Sequence, residues 1–160
     1  MAQQGMKELD SKAWRAFHKI GSRLLPHLGR QVTAHSGITG AEYVVLTALS
    51  ELPADSVNLN RLALGLGWET SRMSHQITRM QEAGLVKKTQ SDSDARCFDV
   101  SITSKGRKIA EKAVPLQSLE INHCFSQVLT SKQKEALIEI SEAISAHMRE
   151  NHPLNKKVVH

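Results

Sequence analysis

Aromatic residues make up only 4% of this 160-residue chain, and it holds just two cysteines, Cys97 and Cys124. Two thiols are too few for a disulfide scaffold and fit a reducing, cytoplasmic setting. No stretch approaches the roughly 20 consecutive apolar residues that a membrane-spanning helix needs. Residues 1–10 are polar and lack the apolar core of a signal peptide, so neither export nor a membrane partner is expected. Internal repeats and low-complexity tracts are missing too. So are a nucleophile elbow, a phosphate-cradling glycine loop and a metalloprotease helix motif, which speaks against an enzyme. Ser74 and His75 form no catalytic dyad, because neighbours on a helix point in different directions. The chain has eight histidines, but no two share a helix face at His-x-x-x-His spacing and neither cysteine belongs to a short chelating motif. No metal site and no cofactor are therefore expected.

Hydrophobic residues reach 40%, enough for a core, and 21 Lys plus Arg against 16 Asp plus Glu leave a net charge of +5. That excess points to a polyanion only if its placement agrees. Most of the chain has helical period. From Leu9 the apolar positions Ala13, Phe17, Ile20, Leu24, Leu28 and Val32 recur in steps of three or four, with Pro26 as an expected kink and Gly37 as the end. Thr39 with Glu42 forms a capping box for a helix that Pro53 stops. Asn58 should cap a short helix over residues 59–66. Gly65, Gly67 and Trp68 make a turn, with Trp68 expected as a wedge in the core. Thr70 or Ser71 should cap the next helix, which buries Met73, Ile77 and Met80 and ends at Gly84. Residues 85–89 and 98–102 are the two strand candidates, joined by a polar loop into a hairpin. A long helix is expected from Thr103 toward Phe125, bent at Pro115. Thr130 with Gln133 caps the last helix, and the tail from Asn151 should be loose.

Short helix, glycine turn, second helix and hairpin are the order of a helix-turn-helix with a wing. A helix that enters the major groove needs small polar and cationic residues on its outer face. Ser71, Arg72, Ser74, His75, Thr78 and Arg79 supply them. Arg96 at the wing tip can reach a minor groove, and Asp94 is placed to shape the loop. The fold class is thus mainly α with a small β-hairpin wing. Residues 1–36 and 104–150 carry apolar stripes too extensive for the 37–103 reading head to cover, and they are assigned as dimerisation helices. Residues 151–160 form a tail.

Residues 94–106, with Asp-x-Arg, an apolar strand and then Thr-x-x-Gly opening a helix, resemble the wing signature of the MarR family of bacterial transcription regulators. The order and spacing of residues 39–49, 59–66 and 71–86 agree. The resemblance implies a homodimer whose two winged helix-turn-helix units bind a pseudo-palindromic double-stranded DNA operator, usually as a repressor released by a small effector, by thiol oxidation or less often by metal. It assigns Ser71, Ser74, Arg79 and Arg96 to DNA contact. The chain departs from the pattern in mid-helix, where Ser74-His75 replaces a Ser-Arg pair. Histidine lacks the bidentate guanidinium fork, which Arg72 can partly replace. Two readings stand for Trp14, Arg15, His18 and Tyr43: walls of a cleft for an aromatic acid, or core and interface packing. Cys97 and Cys124 stand either as packing residues or as the thiols of a redox-sensing regulator.

Overall fold

The computed structural model describes residues 7–91 and 97–151, with side chains up to residue 148. Helix α1 spans Glu8–Ser36, α2 Gly40–Glu51, α3 Leu59–Gly65, α4 Thr70–Glu82, α5 Ser104–Ile121 and α6 Ser131–Asn151. The chain divides into two units, the first ending at Glu120 and the second beginning at Ile121. Among the described residues no helix is long and apolar enough to cross a membrane.

Local chemistry sets most boundaries. Gly37 closes α1 at φ 72°, and its N–H donates to Thr33 O. A left-handed residue at this position favours glycine because a Cβ would crowd the carbonyl. The capping box of α2 is complete: the Thr39 N–H donates to Glu42 Oε2 at 2.7 Å, and the Glu42 N–H to Thr39 Oγ1 at 3.2 Å. At α6 the Thr130 N–H donates to Gln133 Oε1 at 2.9 Å and the Gln133 N–H to Thr130 Oγ1 at 3.3 Å. The Asn58 side chain accepts the Asn60 N–H and starts α3.

Two expectations are corrected. Neither Thr70 nor Ser71 caps α4; Glu69 does, through its carbonyl, with no side-chain bond. Gly67 at φ 64° turns the chain and the Trp68 N–H bonds Ala63 O, so the cap falls one residue before the best capping side chain and the helix starts at Thr70 itself. Pro26 lies inside α1 and Pro115 inside α5, as their places in the helical pattern imply. Each deprives a carbonyl four residues earlier of its partner, but those residues, Ser22 and Glu111, are exposed and water can replace the bond. Finally, α5 stops at Ile121, and Asn122–Ser126 form one π-helical turn in place of its expected continuation.

Among the described residues the sheet has three strands, not two. Strand β1 (Val57–Asn58), β2 (Val86–Gln90) and β3 (Phe98–Ile102) lie antiparallel in the order β1-β3-β2, with Val57 opposite Val100 and Lys88 opposite Val100 on the other side. The core of the first unit centres on Val45, Leu46, Met73, Ile77, Met80 and Val100, all fully buried. It lies between α2, α3, α4 and the sheet, so α4 is held along one side only.

The start of α5 is fastened to the end of α4. The Thr103 hydroxyl donates to Gly84 O at 2.8 Å and accepts the Gly106 N–H at 3.0 Å, while Lys105 Nζ donates to Ala83 O at 2.7 Å. This gives the Thr-x-x-Gly pattern a physical reading. Threonine serves two backbones at once, and a Cβ on Gly106 would lie 2.2 Å from Leu85 O.

Candidate nucleic-acid interface

α4 owes its orientation to its period. Met73, Ile77 and Met80 recur in steps of four and three and are fully buried, which commits the opposite side to solvent. Ser71, Arg72, His75, Thr78 and Arg79 are exposed there. Ser74 is half-buried at the edge of this face, and its carbonyl accepts the Thr78 hydroxyl at 3.0 Å. The oxygen of Thr78 keeps its lone pairs for an outside donor. Among the described residues no carboxylate forms an ion pair with Arg72, Arg79, Lys87 or Lys88. No side chain caps the first turn of α4, so its N–H groups point outward and suit an anion.

The hairpin adjoins this face in sequence. Asp94 and Arg96 fall outside the described residues. At the described root, Lys87 is exposed, and Lys88 Nζ lies 4.2 Å from the centroid of the Phe98 ring. Phe98 shares the inward phase of Val100 yet is 40% exposed, because the hairpin has run past the core by that point. The Ser91 N–H donates to Cys97 O at 3.0 Å, closing the last described rung, and the Cys97 side chain is half-buried. Cys124 is half-buried in the π-helical turn.

Within the first unit a cleft of about 370 Å³ opens between α1, α2 and the base of α4. Its walls include Leu25, Leu28, Val32, Tyr43, Val44, Trp68, Arg72 and Gln117. Of the four residues proposed for an aromatic-acid cleft, Tyr43 alone lines it. Trp14, Arg15 and His18 do not: Leu25 is the first α1 residue in the wall, and Trp14 lies about 16 Å earlier along the helix at 1.5 Å per residue. Trp14 is instead stacked with Phe17 at 6.0 Å, Arg15 Nη1 donates to Ser11 Oγ at 2.7 Å, and His18 is exposed.

The cleft holds three residues that the sequence did not offer as site residues or placed elsewhere. Trp68 is half-buried and packs against the core, as its wedge role requires, but one face also meets Arg72, whose Cζ lies 4.3 Å from the ring centroid. Gln117 is 6% exposed, and its Oε1 has no hydrogen-bond partner among the described residues. Its sequence signal was faint: a glutamine at the end of the Ala110–Ala113–Gln117 stripe that α5 buries.

Comparison with known proteins agrees with this architecture. A family model described as "MarR family" matches residues 36–96, from the end of α1 past β2. The transcriptional repressor MprA of Escherichia coli K12 is 22% identical over 130 residues, covering 79% of this chain and 71% of MprA. AbsC of Streptomyces coelicolor, a MarR family transcriptional regulator, superposes with a TM-score of 0.84 at 27% identity, covering 93% of this chain and all of AbsC. Sco3205 of the same organism, solved in complex with DNA, gives a TM-score of 0.86 at 23% identity over 92% of this chain and 96% of Sco3205. The family match lies on the reading head, and AbsC extends the similarity to the helices on either side: the chain is similar to MarR family transcriptional regulators and shares their winged-helix fold.

Proposed function

We propose that the chain is a homodimeric repressor that sets two copies of α4 into the major groove of a pseudo-palindromic DNA operator and is released when a small molecule fills the cleft. The observation that carries this reading is the solvent face of α4. Ser71, His75, Thr78 and Arg79 are small, polar or cationic, and no described carboxylate neutralises the arginine. Such a face fits the groove, where arginine can grip guanine edges bidentately and hydroxyls can read either donor or acceptor. The DNA complex of Sco3205 and the repressor role named for MprA support the same assignment. Arg96, given by the wing signature, adds a phosphate or minor-groove contact.

Dimerisation rests on apolar exposure. In α1, Leu9, Trp14, Phe17 and Ile20 are each about half exposed or more, and in α6 so are Ile140, Ile144 and Met148. Single protomers rarely leave such continuous stripes in water. A two-fold axis relating two protomers would present the reading head twice, as an operator with two half-sites requires.

Arg79→Ala is expected to weaken binding to DNA selected from a randomised library by about 1–3 kcal/mol and to relax preference at one base position. Fluorescence anisotropy against the selected sequence and its single-base variants measures both. Unchanged affinity at every variant would remove Arg79 from the reading surface.

A further inference from the structure

Beyond its first turn, the charge of α1 is all of one sign. Residues 11–36 hold five Lys and Arg and no carboxylate. The other sixteen cations of the chain match its sixteen carboxylates, so the net charge of +5 resides on this one segment. Lys12, Arg15, Lys19, Arg23 and Arg30 follow one another in steps of three, four, four and seven. That spacing sets them on one side of the helix, over a length of about 27 Å. All five are exposed. Lys12 pairs with Glu8 at 2.7 Å, but among the described residues no carboxylate pairs with Arg15, Lys19, Arg23 or Arg30. Like charges at this spacing repel and weaken a helix. A merely solvated face mixes signs, as α6 does with Lys132 and Lys134 beside Glu135, Glu139 and Glu142.

Two kinds of anionic surface fit a helix with a cationic side, a membrane and a nucleic acid. A membrane would also need the apolar side of α1. That side is taken: Val32 is buried, Leu28 lines the cleft, and the exposed part is the dimer surface proposed above. Duplex DNA needs only the cations. The stripe also ends beside the reading surface. Arg30 shares a shallow groove with Gly29 and Gly40, and the same two glycines border the cleft that Arg72, in the first turn of α4, also lines. We infer that the cationic stripe of α1 is a second DNA contact, which holds phosphates of the same duplex beside the half-site that α4 reads. The inference rests on the regulator reading above and adds a contact outside the winged helix-turn-helix. Phosphate contacts fix register and orientation but carry no base information, so the stripe raises affinity for every sequence alike.

The test is the salt dependence of binding to a duplex selected by the wild-type protein, read by fluorescence anisotropy. Each phosphate that a cation neutralises adds about 0.9 to the slope of log K against log salt. Lys19→Gln, Arg23→Gln and Arg30→Gln combined are expected to make that slope shallower by about 2 to 5, the loss of one to three phosphates on each of two protomers. Affinity at about 0.1 M salt is expected to fall at least about tenfold. Preference for the selected duplex over a scrambled one is expected to stay within about twofold of wild type. Lys108→Gln, Lys112→Gln and Lys132→Gln combined remove the same charge from exposed positions on α5 and α6. This control is expected to keep the wild-type slope to within about 1. Arg23→Lys with Arg30→Lys keeps both charges and is expected to keep the slope. Circular dichroism and light scattering compare the fold and mass of each variant with wild type. Should the triple variant lose either, the three single variants are read by the same slope. An unchanged slope, or a control that loses as much, overturns the inference. Failure of the wild-type protein to select any DNA would instead overturn the regulator reading, and slopes on a mixed-sequence duplex would still decide the role of the stripe.

Discussion

Gly106→Ala is expected to destabilise the reading head by about 3 kcal/mol, the upper part of the range for overpacking a tight site. Helix propensity alone would act in the opposite direction, because alanine in an open helix is better than glycine by about 1 kcal/mol. The sign of the change therefore isolates the packing. The new Cβ would lie 2.2 Å from Leu85 O and 3.1 Å from both Ile102 Cγ1 and Leu46 Cδ2. Leu85 O cannot simply swing aside, since it accepts the Thr103 N–H at 3.1 Å. Moving α5 away would break the Thr103 bond to Gly84 and the Lys105 bond to Ala83, the contacts that fix the end of α4. Urea denaturation at one fixed protein concentration is the measurement, because a dimer's midpoint depends on concentration. A midpoint at or above wild type would contradict the close approach.

Ile140→Glu combined with Ile144→Glu is expected to break the proposed dimer. The two side chains lie one turn apart on α6 and are 52% and 48% exposed in the protomer. Burying one such side chain fully contributes about 1.5–3 kcal/mol, and a two-fold interface uses each residue twice. Four lost apolar contacts and four unpaired charges should raise the dimer dissociation constant by more than about a hundredfold. The helix itself should persist, because an exposed glutamate is a good helix former. Light scattering would then report the mass of one protomer at micromolar concentration, circular dichroism would report unchanged helix, and affinity for a two-half-site operator would drop toward that for one half-site. A variant that remains dimeric with full DNA affinity would place the interface elsewhere.

What could be read from the sequence was local or periodic. The Thr39–Glu42 and Thr130–Gln133 boxes close over three residues, so neighbours alone determine them. Met73, Ile77 and Met80 repeat at helical period, which fixed the solvent face of α4 before any contact was known. Strand β3 alternates and was found with its exact ends, Phe98 and Ile102. What could not be read depends on distant parts of the chain. Strand β1 has two residues, too few for a period, and exists because Val100 of β3 lies opposite Val57. Trp14, Arg15, His18 and Tyr43 were grouped by residue type, but where α2 crosses α1 decides which of them face a common space. That crossing is set by a close approach of Gly29 and Gly40, where a Cβ on Gly40 would be 3.1 Å from Gly29 Cα. Capping preference favoured Thr70 over Glu69, and the positive φ of Gly67 shifted the cap by one residue. Arg72 was read as a groove residue from its place on α4. Its stacking on Trp68 became visible only with the turn in place.

The account turns on α4 reading DNA twice from one dimer. Selection of bound duplexes from a randomised library, followed by footprinting of the enriched sequence, tests this most directly. The account predicts an inverted repeat whose half-site centres lie about 10 base pairs apart, or a multiple of that, protected symmetrically by the wild-type protein. Enrichment of no sequence, or of a lone asymmetric site protected on one side, would contradict it.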